Sequence, residues 1–218
     1  PPIYYLSAIE GVLDSLHVAG LYQEMPFFLS KLKEIGAGNY PTEFLTEVQG
    51  RHYLYELSGL LNTGQFEAAA LLAEEHTEFL SKKTTMTRPE TQLKLALYSS
   101  ILHLCQGEPA KARKSMKKIL GSGKSFHTLP SYKTARLVNL LIQAELGNYD
   151  FFANEISSIK RTIGYEKQVY ITEKLLFRFL MAHPLPIYKK DREKLWSQYQ
   201  KDIICIRQDK YEKQLLKT

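Results

Sequence analysis

The fold follows from residues 54–69, whose sequence is LYELSGLLNTGQFEAA. The leucines of this stretch recur at three- and four-residue spacing, which places them on one face of a helix. Gly64 interrupts that helix, and glycine readily adopts the left-handed backbone conformation that commonly ends one. The aromatic Phe66 and the small Ala69 then begin a second, returning helix. The stretch therefore predicts two antiparallel helices joined by a short turn.

This turn recurs at four places along the chain. Its glycines are 44, 43 and 40 residues apart, at Gly20, Gly64, Gly107 and Gly147. The tenth residue before the glycine is a leucine in three of the four units, at Leu54, Leu97 and Leu137. A single helix pair cannot bury its own apolar face, so repeated pairs stack and share a continuous core. An irregular helical bundle with coincidental glycines is the alternative.

We therefore predict an all-α fold, an α-α superhelix (solenoid) of about five antiparallel helix pairs, as repeat arrays of this kind form. It forms one domain over residues 1–218. The predicted pairs span residues 3–36, 42–82, 88–121, 130–163 and 166–216. The first residue is Pro1 and the last stretch still has a helical pattern, so we expect the chain to be a fragment of a longer protein.

The turns resemble a known family. The segment Gly64-Gln65-Phe66-Glu67-Ala68-Ala69 is similar to the inter-helix turn of the tetratricopeptide repeat (TPR) family, and residues 107–112 are similar with Pro109 in the aromatic position. The resemblance implies a right-handed superhelix whose concave face binds another protein. The first-helix signature of the family is absent here, so none of its peptide-clamping residues is assigned to this chain.

Composition excludes several classes of protein. Apolar residues make up 44% of the 218 residues and charged residues 24%, as in ordinary globular domains. No apolar run approaches the roughly 18 residues of a membrane-spanning helix, and no signal peptide precedes the first helix, so we expect a cytoplasmic protein. The two cysteines, Cys105 and Cys205, are too few for a disulfide scaffold or a four-ligand zinc site. Cys205, among isoleucines, is expected to pack in the core.

Charge is distributed unevenly. Residues 1–110 carry 7 Lys and Arg and 13 Asp and Glu, a net charge of −6, whereas residues 111–218 carry 22 and 10, a net charge of +12. Such polarity could steer an acidic partner to one end of the molecule. The basic half is also interleaved with acidic residues, which favours pairing along helices over a nucleic-acid groove.

Four residues are the candidate partner-binding site. Arg51 and Lys94 each lie thirteen residues before a turn glycine, and Tyr55 and Tyr98 each lie nine before it. Residues four apart share a helix face, so two first helices each place a cation beside a tyrosine. Such a row could bind an acidic peptide or a peptide carboxylate. The alternative is that both tyrosines pack between repeats and both cations are solvated.

A second candidate surface is a basic patch on one predicted helix. Its members are Lys111, Arg113, Lys114, Lys117, Lys118 and Lys124. Such a patch can contact phosphates without regard to sequence. No helix-turn-helix signature, zinc finger or aromatic platform accompanies it, so we favour a protein partner over nucleic acid.

The remaining chemical motifs are incomplete. Residues 121–125 (GSGKS) end like a phosphate-binding P-loop, but position 118 is lysine where that loop requires glycine, and no strand precedes it. The six histidines do not approach one another or a cysteine at metal-ligand spacing. We predict no catalytic residue, metal or cofactor. The predicted function is a non-catalytic scaffold that binds a protein or peptide, as the sensor or assembly part of a regulator. The alternatives are a basic module that contacts nucleic acid or an acidic surface, and an enzyme with a dispersed site.

Overall fold

The computed structural model describes residues 2–121, 123–163, 170–181, 186–209 and 211–212. Over these residues the chain forms helices and turns and no β-strand, which confirms the predicted all-α class. No helix among them is long and apolar enough to cross a membrane. The helices are α1 Pro2–Ala19, α2 Met25–Gly36, α3 Thr42–Asn62, α4 Phe66–Glu75, α5 Pro89–Cys105, α6 Pro109–Leu120, α7 Ser131–Glu145, α8 Asp150–Ile163, α9 Ile171–Met181, α10 Lys189–Ser197 and α11 Gln200–Gln208.

The chain forms two compact units, Pro1–Ala135 and Arg136–Thr218. The prediction of a single domain over residues 1–218 stays a prediction. The first four predicted pairs correspond to α1 and α2, α3 and α4, α5 and α6, and α7 and α8. The described part of residues 166–216 instead contains three helices, α9, α10 and α11, because a turn at Gln198 and Tyr199 separates α10 from α11. Residues 166–169, 182–185, 210 and 213–216 of that range lie outside the described residues.

The four turn glycines share one backbone geometry. Their φ angles are +75°, +76°, +72° and +72°, and within the described residues no other residue has a positive φ. In each turn the glycine N–H donates to the carbonyl three residues before it, at 3.0–3.2 Å. The next N–H donates to the carbonyl five residues before it, at 2.8–3.0 Å. This is the Schellman arrangement, which satisfies the last carbonyls of a helix. The predicted left-handed turns are confirmed.

In the first unit, α3 packs against α1, α2, α4 and α5. One apolar cluster joins α1, α2 and α3, and another joins α3, α4 and α5. The first contains Leu6, Ile9, Leu13, Met25, Leu32, Ile35, Val48 and Tyr55. The second contains Tyr53, Leu54, Leu57, Leu61, Ala69, Leu72, Phe79, Leu95, Tyr98 and Leu102. Burial of these side chains is the main favourable term for this unit, at about 25 cal/mol per Å² of apolar surface.

The start of α5 differs from its sequence pattern. Thr87 and Glu90 have the spacing of a capping box, yet Thr87 Oγ1 donates to the carbonyl of Thr84 at 2.7 Å and Arg88 is the residue that flanks the helix. Glu47 of α3 caps α5 instead, because its buried carboxylate accepts the N–H of Arg88 at 2.9 Å and the hydroxyl of Thr91 at 3.1 Å. A carboxylate from another helix therefore takes the place of the capping box that this spacing is typical of.

The second unit has its own core, to which α7, α8 and α9 contribute. Its buried members are Leu137, Leu140, Phe152, Ile156, Ile159, Leu176, Phe177 and Leu180. As in α5, the start of α9 is capped by a buried carboxylate from elsewhere in the chain. Glu212 accepts the N–H of Ile171 and, at 3.0 Å, the N–H of Thr172. On α11 the prediction for Cys205 is wrong, because Cys205 is exposed and the neighbouring Ile206 is buried.

Candidate functional site

The four predicted partner-binding residues lie where α1, α3 and α5 pack together. Helices α1 and α5 both pack against α3, and we call the surface they form the α1–α3–α5 face. Arg51 and Tyr55 reach it from α3, and Lys94 and Tyr98 reach it from α5. Glu10 and Asp14 of α1, which were not among the predicted site residues, contact three of these four side chains.

Arg51 is buried in this face, with 1% of its surface exposed. Its Nε donates to Oε1 of Glu47 at 3.0 Å, and its Nη1 forms an ion pair with Oε2 of Glu10. A buried guanidinium is tolerated only when carboxylates pair with it, because removing its charge from water is costly. Two carboxylates therefore neutralise Arg51 within the protein. It is neither solvated nor open to a partner's carboxylate.

Lys94 and Tyr55 meet at one carboxylate. The Tyr55 hydroxyl donates to Oδ1 of Asp14 at 2.6 Å, and Lys94 Nζ lies 3.8 Å from the same oxygen. Lys94 Nζ also lies 3.1 Å from Oε1 of Glu90. Burial and the nearby Asp14 raise the pKa of Tyr55, which keeps its hydroxyl protonated as a donor.

Tyr98 is buried and its ring meets His17 of α1 edge to face, with ring centroids 6.3 Å apart. Its hydroxyl lies 3.3 Å from His17 Nε2. Both tyrosines thus pack between helices, as the alternative interpretation of the sequence held, while the two cations are paired with carboxylates. Their role in binding a partner stays a prediction.

The acidic residues of α1 carried a signal in the sequence. Glu10 and Asp14 are the charged residues of this helix, and their four-residue spacing places them on one face. This acidic face is complementary to the cations on α3 and α5. A comparison of these three helices in the sequence would therefore have indicated that they pair. Burial raises the pKa of Glu10, against the opposing effect of Arg51.

A polar cleft opens at the centre of the α1–α3–α5 face. Its volume is about 240 Å³, and it is lined by Ser7, Glu10, Gly11, Asp14, Arg51, Arg88, Glu90 and Thr91. Asp14, Glu90 and Arg88 have side chains that are 50%, 55% and 52% exposed, so these three charged groups can reach a binding partner. The cleft can therefore accept both a cationic and an anionic group.

No family model, curated protein or solved structure matches this chain.

The basic patch lies mainly on α6. Lys111, Arg113, Lys114, Lys117 and Lys118 are all exposed, while Ala112, Met116 and Ile119 of the same helix are buried. Lys111 pairs with Glu108 at 2.8 Å. The sixth predicted member, Lys124, belongs to the short turn Gly123–Phe126, and its side chain lies outside the described residues. The patch is thus a row of cations along the exposed side of α6, a helix of 12 residues.

A larger groove, of about 670 Å³, lies between α2 and α3. Met25, Leu29 and Tyr22 line it together with His52 and Glu56. The Nδ1 atom of buried His52 lies 3.4 Å from Oε2 of Glu56. Burial, with Lys33 and His76 nearby, lowers the pKa of His52 from 6.5 to about 4, so the ring is neutral at pH 7.

Other motifs from the sequence do not assemble into a site. Gly121 directly follows α6 and Ser122 lies outside the described residues, so the GSGKS stretch comes after a helix and not after a strand. The described residues hold no group of three or more His, Cys, Asp or Glu placed to bind a metal.

Proposed function

We propose that this chain is a non-catalytic scaffold whose α1–α3–α5 face binds a protein or peptide partner. The observation that carries the proposal is the side-by-side packing of α1, α3 and α5, with the charges between them fixed by ion pairs. A surface held in place before binding loses little conformational freedom when a partner arrives. The repeated turns support stacking of the helix pairs into a TPR-like solenoid, which is the arrangement we propose for the whole chain.

The exposed groups indicate which partner chemistry the cleft would accept. Asp14 and Glu90 lie in position to contact a basic side chain of a partner, and Arg88 to contact a carboxylate. Arg51 would act indirectly, by holding Glu10 and Glu47 in place. We further propose a cytoplasmic role in sensing or assembly. The free thiols of Cys105 and Cys205 are compatible with a reducing compartment.

Affinity capture with a variant of the cleft tests this proposal. Ser7 is exposed and lines the cleft, so Ser7→Arg adds bulk and charge there without removing a hydrogen bond of the carboxylate network. Ser157→Arg, at an exposed position on α8, is the matched control. We expect the wild-type chain and Ser157→Arg to capture the same proteins in equal amounts. The recovery of these proteins should be at least tenfold lower with Ser7→Arg.

Circular dichroism of the three proteins would establish that each is folded. Equal recovery of every captured protein by Ser7→Arg and the wild type would contradict binding at this face. Loss of recovery with both arginine variants would indicate a general effect of added charge and would also count against the cleft.

A second candidate function is contact with an anionic surface through α6. The five exposed cations of this helix favour such contact, and four of them lie within residues 113–118. Binding to random-sequence duplex DNA would then weaken with salt, with a slope in log K of about 0.9 for each phosphate neutralised. Lys114→Glu with Lys117→Glu should reduce that slope. Lys82→Glu with Lys83→Glu, at exposed positions away from α6, should leave it unchanged.

A further inference from the structure

The turn glycines allow residues of α1, α3 and α5 to be compared position by position. Sixteen, twelve and nine residues before the glycine, α3 carries Val48, His52 and Tyr55, all of which are buried. The same positions of α5 carry Thr91, Leu95 and Tyr98, which are buried as well. One side of each helix is therefore covered at the same three positions.

The helix that precedes each of them contributes to this cover. Val48 and Tyr55 share an apolar cluster with Met25, Leu32 and Ile35 of α2. Leu95 and Tyr98 share one with Ala69 and Leu72 of α4. Both helices therefore use this face to dock a helix, although on α5 Thr91 also donates to Glu47 of α3 and Tyr98 also meets His17 of α1.

In α1 the same positions are occupied by Tyr4, Ala8 and Gly11, and all three are exposed, with Tyr4 at 72%. Val12 and Ser15 extend this exposed side along the helix. We call these five residues the outer face of α1. None of them is charged. The acidic residues of α1 lie elsewhere on the helix, where they contact α3 and α5. The solvent-facing side of a surface helix normally carries charged and polar residues, so an exposed side without charges is typical of one that a partner covers.

We propose that the outer face of α1 binds an amphipathic α-helix of a partner protein, seated as α2 is seated on α3. The inference continues an interface that the chain itself uses at α3 and at α5. Gly11 also lines the cleft of the α1–α3–α5 face, so the two surfaces adjoin, but the inference does not depend on binding in that cleft.

The helices already docked on these faces define the chemistry of the partner. Met25, Leu32 and Ile35 of α2 have seven- and three-residue spacing, so they form one apolar side of that helix. Its charged residues Lys31, Lys33 and Glu34 lie outside this side, and Lys31 pairs with Glu34. The partner helix has the same pattern: aliphatic residues at these spacings on one side, and charged residues confined to the other.

A peptide with the sequence of residues 25–36, blocked at both ends and labelled with fluorescein, serves as the probe. Its binding to the full chain is measured by fluorescence anisotropy. Ala8→Glu places a charge at the centre of the outer face, and Ala153→Glu places one at an exposed position on α8 as a matched control. We expect saturable binding to the wild type, the same affinity for Ala153→Glu, and at least tenfold weaker binding to Ala8→Glu. Val12→Lys is a second variant of the face and should weaken binding similarly.

Three results would overturn the inference. One is the absence of peptide binding to the wild-type chain. Another is equal affinity for the wild type, Ala8→Glu and Val12→Lys, which would place the peptide elsewhere, for example on α3 by displacement of α2. The third is self-association of the wild-type chain in sedimentation velocity that Ala8→Glu abolishes, which would assign the face to a second copy of the chain.

Discussion

The carboxylate of Glu47 accepts the backbone N–H of Arg88, 41 residues further along the chain, at 2.9 Å. The same carboxylate accepts a hydrogen bond from Nε of buried Arg51 at 3.0 Å. One carboxylate therefore joins α3 to the start of α5 and also neutralises a cation of the α1–α3–α5 face. This double role makes Glu47 a sensitive test of how the face is held together.

Glu47→Gln should lower the free energy of unfolding by about 3 kcal/mol, because it leaves a buried cation with one fewer carboxylate and weakens the cap of α5. Urea denaturation measures the change. Glu43→Gln, at an exposed position in the first turn of the same helix, should change stability by about 0.5 kcal/mol or less. A cost for Glu47→Gln no larger than that of the control would mean that the network adds little to stability.

Two glycines of α3 should respond to alanine in opposite directions. A Cβ atom at Gly50 would lie 3.0 Å from Cγ2 of Thr87 and 3.2 Å from Cζ of Phe79, whereas one at Gly59 would meet nothing within 4 Å. Overpacking at Gly50 destabilises the folded protein by about 1–3 kcal/mol, whereas the higher helix propensity of alanine stabilises it by about 0.5–1 kcal/mol. Gly50→Ala should therefore lower the free energy of unfolding by about 1 kcal/mol. Gly59→Ala should stabilise by about 0.5–1 kcal/mol. Thermal melting of both variants checks this, and stabilisation by both would contradict the close packing at Gly50.

Replacing a turn glycine should strain the backbone conformation without causing a steric clash. A Cβ at Gly107 would contact nothing within 4 Å, yet its φ is +72°. Gly107→Ala should therefore destabilise by about 1–2 kcal/mol, and Gly107→Asn should cost less because asparagine tolerates this conformation. Equilibrium unfolding in urea would compare the two variants. An increase in stability with alanine is the expected behaviour of a loop glycine with negative φ, and would exclude the turn geometry.

The neutral His52 predicts a pH dependence of stability. Its pKa is about 4 in the folded protein and about 6.5 in the unfolded chain, so between these values the unfolded chain binds more protons. Stability should therefore fall as the pH is lowered from about 6.5 to about 4, through this residue. His52→Gln should flatten that part of the profile relative to the wild type. Parallel profiles of unfolding free energy between pH 7 and pH 4 would show that His52 does not titrate in this way.

The local parts of the fold could be predicted from the sequence, because their signals lie within a few residues. A glycine after an apolar helix predicts a left-handed turn, and all four turn glycines adopt it. The shared face of Arg51 and Tyr55 also follows from their four-residue spacing. These features depend on chain geometry alone.

The environment of the candidate site could not be predicted in the same way. Arg51 is buried because Glu10 of α1 and Glu47 of α3 pair with it, and the approach of α1 depends on how the helices pack. The cap of α5 has the same origin, since Glu47 reaches the start of that helix from α3. Contacts between residues about forty positions apart therefore decided both outcomes.

The central claim, that the α1–α3–α5 face binds a protein, is tested most directly by photo-crosslinking in cells. A photoreactive amino acid at Ser7 lies at the cleft, and one at the exposed Ser157 of α8 serves as the control. We predict discrete crosslinked protein products from position 7 and none of the same mass from position 157. Products from position 157 alone, or none from position 7, would contradict the claim.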